Sequence, residues 1–195
     1  MKNRKNITVV VIAIICVLFI AALTAVILTQ VIFTIKTSPT KVKCLNSDAT
    51  YTIEYTAERY LSGTMSDYEH AWAFDGELPS KDPADYIDIY LMFDVENTCY
   101  VDQYTVDATL KSAAKYSENI LFVTDAGAVV TPHVWRRQTT QAYVLLEVYI
   151  GNLNEDQIRE LVSGITLSVK AQGDYFGTRN RTVSFKECDN ISIER

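Results

Sequence analysis

The run YIDIYLMFDVE, residues 86–96, sets the fold class. Ile87, Ile89, Leu91, Phe93 and Val95 fall on one face, and Tyr86, Asp88, Tyr90, Met92, Asp94 and Glu96 on the other. Successive side chains of a strand point to opposite sides of its sheet, so a period of two with one oily face reads as a half-buried β-strand. Asn97 and Thr98 close the run, and residues 100–110 read as the returning strand of a hairpin.

Toward the C-terminus the same pattern recurs. Residues 119–124 make a short strand and Asp125-Ala126-Gly127 a turn, while Pro132 biases residues 131–138 toward extended chain. Residues 141–150 form another strand, with Val144, Leu146, Val148 and Ile150 inward. The period then changes in NLNEDQIRELV, residues 152–162: Asn154 is placed as an N-cap, Glu155 and Asp156 sit in the first turn, and Ile158, Leu161 and Val162 form one helical stripe. Gly164 ends that helix, and residues 165–171, 182–186 and 191–193 supply further strands.

Toward the N-terminus, residues 60–84 lose all periodicity. Gly63, Gly76, Pro79 and Pro83 mark a long connection of the kind that often carries function. Before it, YTIEYTAER (residues 51–59) alternates and reads as a strand, as do residues 41–46. Residues 9–28, VVVIAIICVLFIAALTAVIL, carry no charge, and at about 1.5 Å per residue would cover the ~30 Å hydrocarbon of a bilayer. The apolar character persists through Ile35, and Ile15 is too bulky to precede a lipoprotein-type cleavage site at Cys16. The expectation is a short basic cytoplasmic tail (1–6), an uncleaved transmembrane helix (7–35), a linker KTSPTK (36–41) in which Pro39 stops the helix, and a β-sandwich domain (42–195). The chain would then sit in the cell membrane as a single-pass protein with its C-terminal domain outside.

The fold class expected is mainly β: an N-terminal transmembrane helix followed by an antiparallel β-sandwich with one short helix. The succession of hairpin, loop, strand, short helix and strand resembles the immunoglobulin-like modules of anchored envelope proteins. That resemblance is architectural, and a sandwich of this kind implies no function by itself.

Charge narrows the function classes. Lys2, Arg4 and Lys5 precede the apolar run and the first acid is Asp48, so the rest of the chain holds 24 acids against 15 bases (the 18 of the chain less those three), a balance of −9. Nucleic acid needs a basic surface and is excluded as a partner. The same balance disfavours the domain lying flat on anionic lipid.

No catalytic signature is legible. Cys44, Cys99 and Cys188 follow the apolar run, allowing three pairings. Cys44 with Cys188 is favoured because first and last strands of a sandwich often lie close, although Cys188 is out of phase with Val183 and Phe185. Three unpaired thiols packed as small apolar groups carry equal weight. No Cys/His spacing points to zinc, Asp82, Asp85 and Asp88 match no calcium loop, and nothing local supports a Cys99–His133 nucleophile pair. No metal, cofactor or enzymatic activity is expected. Rigid amphipathic rings and guanidinium groups are what binding surfaces use, which singles out Trp72 and Phe74 in the long loop and the strip His133, Trp135, Arg136 and Arg137. The competing use of these rings is to cap and brace the sandwich. The role expected is non-catalytic binding, assembly or structural support in the cell envelope. Its partners would be the lipid bilayer, through residues 7–35, and another envelope protein or surface ligand. The alternatives are an anchored enzyme with a hidden thiol or carboxylate site, and a cytoplasm-facing sensor or scaffold.

Overall fold

The computed structural model describes residues 2–27, 35–45, 49–64, 69–112, 115–124 and 133–194. In chain order the elements are helix α1 (Lys2–Ile27), strand β1 (Ile35–Leu45), helix α2 (Ala49–Leu61), strands β2 (Glu69–Ala71), β3 (Tyr86–Asn97), β4 (Tyr104–Ser112), β5 (Ile120–Thr124), β6 (His133–Val134) and β7 (Thr139–Tyr149), helix α3 (Glu155–Ser163), and strands β8 (Thr166–Gly173), β9 (Thr178–Ser184) and β10 (Ile191–Glu194). They form a six-stranded sheet in the order β10-β1-β3-β7-β5-β2 and a four-stranded sheet in the order β6-β4-β8-β9.

Strand β3 lies inside the larger sheet, between β1 and β7. Its alternation holds: Ile87, Ile89, Leu91, Phe93 and Val95 are all fully buried. They share one core with Val144, Leu146 and Val148 of β7, Val106 and Ala108 of β4, Leu167, Val169 and Ala171 of β8, and Val183 of β9. The two sheets therefore face each other across this core. Each buried aliphatic or aromatic side chain contributes about 1.5–3 kcal/mol, so a one-residue slip of β3 would forfeit several such gains at once. Helix α3 closes the core with Ile158, Leu161 and Val162. It starts on the expected cap: Asn154 accepts the N–H of Gln157, and Gln157 Oε1 accepts the N–H of Asn154 in return. Gly164 ends it in a right-handed conformation (φ −79°), its N–H reaching back to the carbonyls of Glu160 and Leu161.

The expected transmembrane helix is corrected, and with it the single-pass placement. Among the described residues no helix is long and apolar enough to cross a membrane. Residues 28–34 lie outside the described residues, and Ile35, the expected end of the helix, is instead a fully buried residue of β1. The segment 36–41 belongs to that strand. Pro39 is accommodated because the β1–β3 register shifts between Pro39 and Lys41, and because β10 pairs with β1 only from Val42 onward; prolines in sheets are confined to such bulges and edges.

Three further expectations change. Residues 51–59 are helical, because Ile53, Thr56, Ala57 and Tyr60 also satisfy the i, i+3, i+4, i+7 spacing, and that face packs on the sheet while Glu54, Tyr55 and Glu58 stay exposed. The 86–110 hairpin does not form: β4 pairs with β6 and β8 in the other sheet, the 98–103 loop carrying the chain across. The sandwich is not wholly antiparallel, since β1 and β10 run parallel, with Cys44 opposite Ile193. The turn expected at 125–127 lies outside the described residues.

Helix α2 lies on the outer face of the six-stranded sheet. Ile53 and Ala57 pack there with Phe74, Tyr86, Leu121 and Phe122 in a second, smaller core. Beneath the helix Asp88 of β3 and Glu147 of β7 stand directly opposite each other, 6% and 2% exposed. Thr56 Oγ1 donates to Glu147 Oε1 at 3.1 Å, tying the helix to this polar spot.

Candidate binding surface

Where β3 ends, the chain builds a braced set of loops. Asn97 is fully buried and donates through Nδ2 to the carbonyls of Asp102 (2.9 Å) and Val134 (3.2 Å), while its Oδ1 accepts the N–H of Cys99 at 2.8 Å. Cys99 is also fully buried, and its Sγ accepts the N–H groups of Val101 (3.4 Å) and Asp102 (3.2 Å). One loop, residues 98–103, is thereby folded around two side chains.

That loop holds two others. The buried carboxylate of Asp102 accepts the N–H groups of Asp174 (2.8 Å), Tyr175 (3.2 Å) and Phe176 (2.9 Å), so it cradles the β8–β9 turn. Gly173 makes room: a Cβ there would meet Tyr104 Cε1 at 2.9 Å and the carboxyl carbon of Asp102 at 3.0 Å. On the other side, the carbonyl of Cys99 accepts the N–H of Arg137 at 3.1 Å, and that of Gln138 accepts from Asn97 at 2.8 Å. Arg137 has φ 58°, a left-handed conformation rare outside glycine. It lays its guanidinium over the Tyr100 ring, 4.6 Å from the centroid.

The rigid loops carry exposed rings. Tyr100 is 62% exposed, Trp135 56% and Tyr175 73%, with Val101 and the exposed Arg136 and Arg137 among them. A stacked cation and ring lose less conformational freedom on contact than free side chains would, which suits a contact surface. Ile35, the first residue of β1, pairs with Asn97 and accepts at its carbonyl from Arg181 Nε at 2.7 Å. The loops therefore stand at the end of the sandwich where the chain arrives from α1.

The sequence-derived candidates separate into two groups. Trp135, Arg136 and Arg137 belong to this platform. His133 sits beside it on β6, exposed, with Nδ1 3.5 Å from Thr105 Oγ1. Phe74 and Trp72 lie elsewhere, on the outer face of the larger sheet. Phe74 is buried, its ring 4.9 Å from that of Phe122 and 5.6 Å from that of Tyr60. Trp72 is partly exposed, with its backbone N–H bonded to Leu121 O at 2.8 Å. Near Phe74 a cavity of about 530 Å³ opens between α2 and residues 74–78, with Glu54, Glu58 and Leu61 on its rim. The residues that sequence reasoning missed are Asn97, Asp102, Tyr100 and Tyr175. Only the polar break ENTCYVD, residues 96–102, after a strong strand signalled the first three, and it says nothing of which turn each side chain braces; Tyr175 lies in GDYFG, residues 173–177.

The groups considered for chemistry are dispersed. Cys44 and Cys188 are free thiols bordering the same core, with no bond between them. Burial pushes the Cys44 thiol up to about 12, against a smaller opposing pull from the Arg159 charge. Such a thiol stays protonated and unreactive at ordinary pH. Asp82 accepts the N–H of Ala84 as the cap of a short 3₁₀ turn, while Asp88 is buried under α2. Among the described residues, no three His, Cys, Asp or Glu side chains converge as metal ligands would.

No family model matches the chain, and no curated protein is similar to it. Among solved structures it is similar to the crystal structure of a Bacillus subtilis subsp. subtilis str. 168 protein described as a lipoprotein (ycdA). The identity is 12%, with 65% of this chain and 41% of that chain covered, at a TM-score of 0.26. A likeness at that level carries no argument about fold or role.

Proposed function

We propose that this chain is a non-catalytic binding module of the cell envelope, and that its contact surface is the platform of Tyr100, Val101, Trp135, Arg136, Arg137 and Tyr175. One observation supports this above the others: the exposed rings stand on loops that two buried polar side chains, Asn97 and Asp102, hold in place. Large apolar rings left in solvent cost solvation free energy, and a protein that also spends buried hydrogen bonds on fixing their positions has shaped a surface for contact.

A photo-crosslinking residue placed at 100, 135 or 175 of the full chain in the producing cell tests the assignment, with the exposed position 186, just past the end of β9, as control. Adducts concentrated at the platform positions are the expected result. Equal adduct yields at platform and control would overturn it.

A further inference from the structure

Building on the platform as the contact surface, we infer that its partner is an anionic lipid surface, met by the end of the sandwich at which the chain arrives from α1.

Topology carries the first part. The platform loops begin at residue 98, one step past the Asn97 that pairs with Ile35. Between Ile27, the end of α1, and Ile35 the chain can span at most about 30 Å, at 3.3–3.6 Å per residue. The apolar helix and the platform are thus on one short tether. From Val10 to Val26 the large apolar side chains of α1 are exposed on every side of the helix. A lipid surface that meets these side chains, without the helix crossing it, holds the platform within reach of its headgroups.

Chemistry carries the second part. Tyr and Trp rings with an apolar body and a polar tip are the side chains that settle at the headgroup level. Tyr100, Trp135 and Tyr175 are of this kind, and Val101 adds a fully apolar contact. The sign of the local charge also fits. The domain is acidic, yet Arg136 and Arg137 follow Trp135 here; of the nearby acids, Asp102 is buried in the turn and Glu96 is paired with Lys36 at 3.6 Å, while Asp174, bonded to the neutral amide of Gln103 at 2.8 Å, sets one negative charge against the two arginines. An arginine close to an anionic surface is drawn to it by its charge. The rest of the acidic domain is held off the same surface by repulsion, which leaves this one end to make contact.

The test uses the full chain in vesicles of phosphatidylcholine, with or without phosphatidylglycerol. Trp72→Phe leaves Trp135 as the single tryptophan, and Trp135→Phe leaves Trp72. Brominated lipids are expected to quench Trp135 several-fold more than Trp72, and its emission is expected to move to shorter wavelength. Arg136→Gln with Arg137→Gln should remove the dependence on phosphatidylglycerol, with circular dichroism checking that each variant is folded. Equal quenching of Trp135 and Trp72 in a chain that floats with the vesicles overturns the lipid partner, as does a chain that fails to float. Either result leaves the platform itself to the crosslinking experiment, where adducts to protein at positions 100, 135 and 175 would retain the contact surface while replacing its partner.

Discussion

Asp102 Oδ2 accepts the backbone N–H of Phe176 at 2.9 Å, across 74 residues of chain, from a carboxylate with no exposure to solvent. Hydrogen bonds to an ionised, buried acceptor are worth more than neutral ones, and deleting the acceptor strands several amides. Asp102→Ala is expected to cost about 3 kcal/mol, and Asp102→Asn less, because the amide oxygen keeps part of the set. Urea unfolding gives the loss. Faster hydrogen exchange confined to the amides of residues 174–176 would show that the β8–β9 turn is what loosens, and unchanged exchange there would refute the brace.

Tyr104 offers a change in the opposite direction. Its ring is fully buried and its hydroxyl has no hydrogen-bond partner among the described residues, while burial and then the Asp102 charge push the phenol upward. A buried hydroxyl without a partner keeps its desolvation cost. Tyr104→Phe should therefore be neutral or stabilise by up to about 1 kcal/mol. A thermal melt showing clear destabilisation would mean that the hydroxyl is bonded in solution.

Phe74 and Trp135 should part company. Phe74→Ala empties the aromatic cluster with Phe122 and Tyr60 and is expected to cost about 3 kcal/mol, releasing α2. Trp135→Ala removes an exposed ring and should stay within about 0.5 kcal/mol. Stability measured for both, beside crosslinking or vesicle binding, separates a ring that supports the fold from one that meets a partner. A comparable loss of stability in the two would erase the distinction.

Alkaline pH should weaken the fold in a defined window. The Cys44 thiol titrates near 9.0 when unperturbed and is pushed up to about 12 by burial in the folded chain. Its contribution is thus fully present below about pH 9 and is lost as pH rises toward 12, since the unfolded chain sheds the proton first. Tyr86, Tyr104 and Tyr143 are shifted the same way by burial and add to the slope. Denaturation midpoints from pH 8 to 11 are expected to fall, and to fall less steeply in Cys44→Ala. Identical slopes in the two proteins would remove Cys44 from the account.

Much of the fold was legible because burial follows period. The alternation in 86–96 and 141–150, and the stripe of Ile158, Leu161 and Val162, each place a side chain in the core. Residues 51–59 misled because Ile53 and Ala57 sit four apart and serve a strand and a helix equally well; only the sheet beneath decides between them. Pairing was illegible for a different reason. Nothing in residues 97–104 states that the chain crosses to the other sheet, because the crossing is fixed by Asn97 meeting Val134 and Asp102 meeting residues 174–176, which are far apart in sequence. The platform was half visible, since Trp135 and its arginines advertise themselves by type. Tyr100 and Tyr175 do not, because exposure depends on loops that the sequence leaves unpaired.

The parallel pairing of β1 with β10 imposes an order of assembly. On a ribosome, β1 emerges early and gains β3 on one flank, yet its other flank stays open along residues 42–45 until 191–194 appear. For most of synthesis the nascent chain therefore carries a sticky border, open to strands of neighbouring chains. Its yield in a crowded cell should hang on how long that border waits, making translation speed through the last strands, and shielding by chaperones, a determinant of how much active protein a cell accumulates.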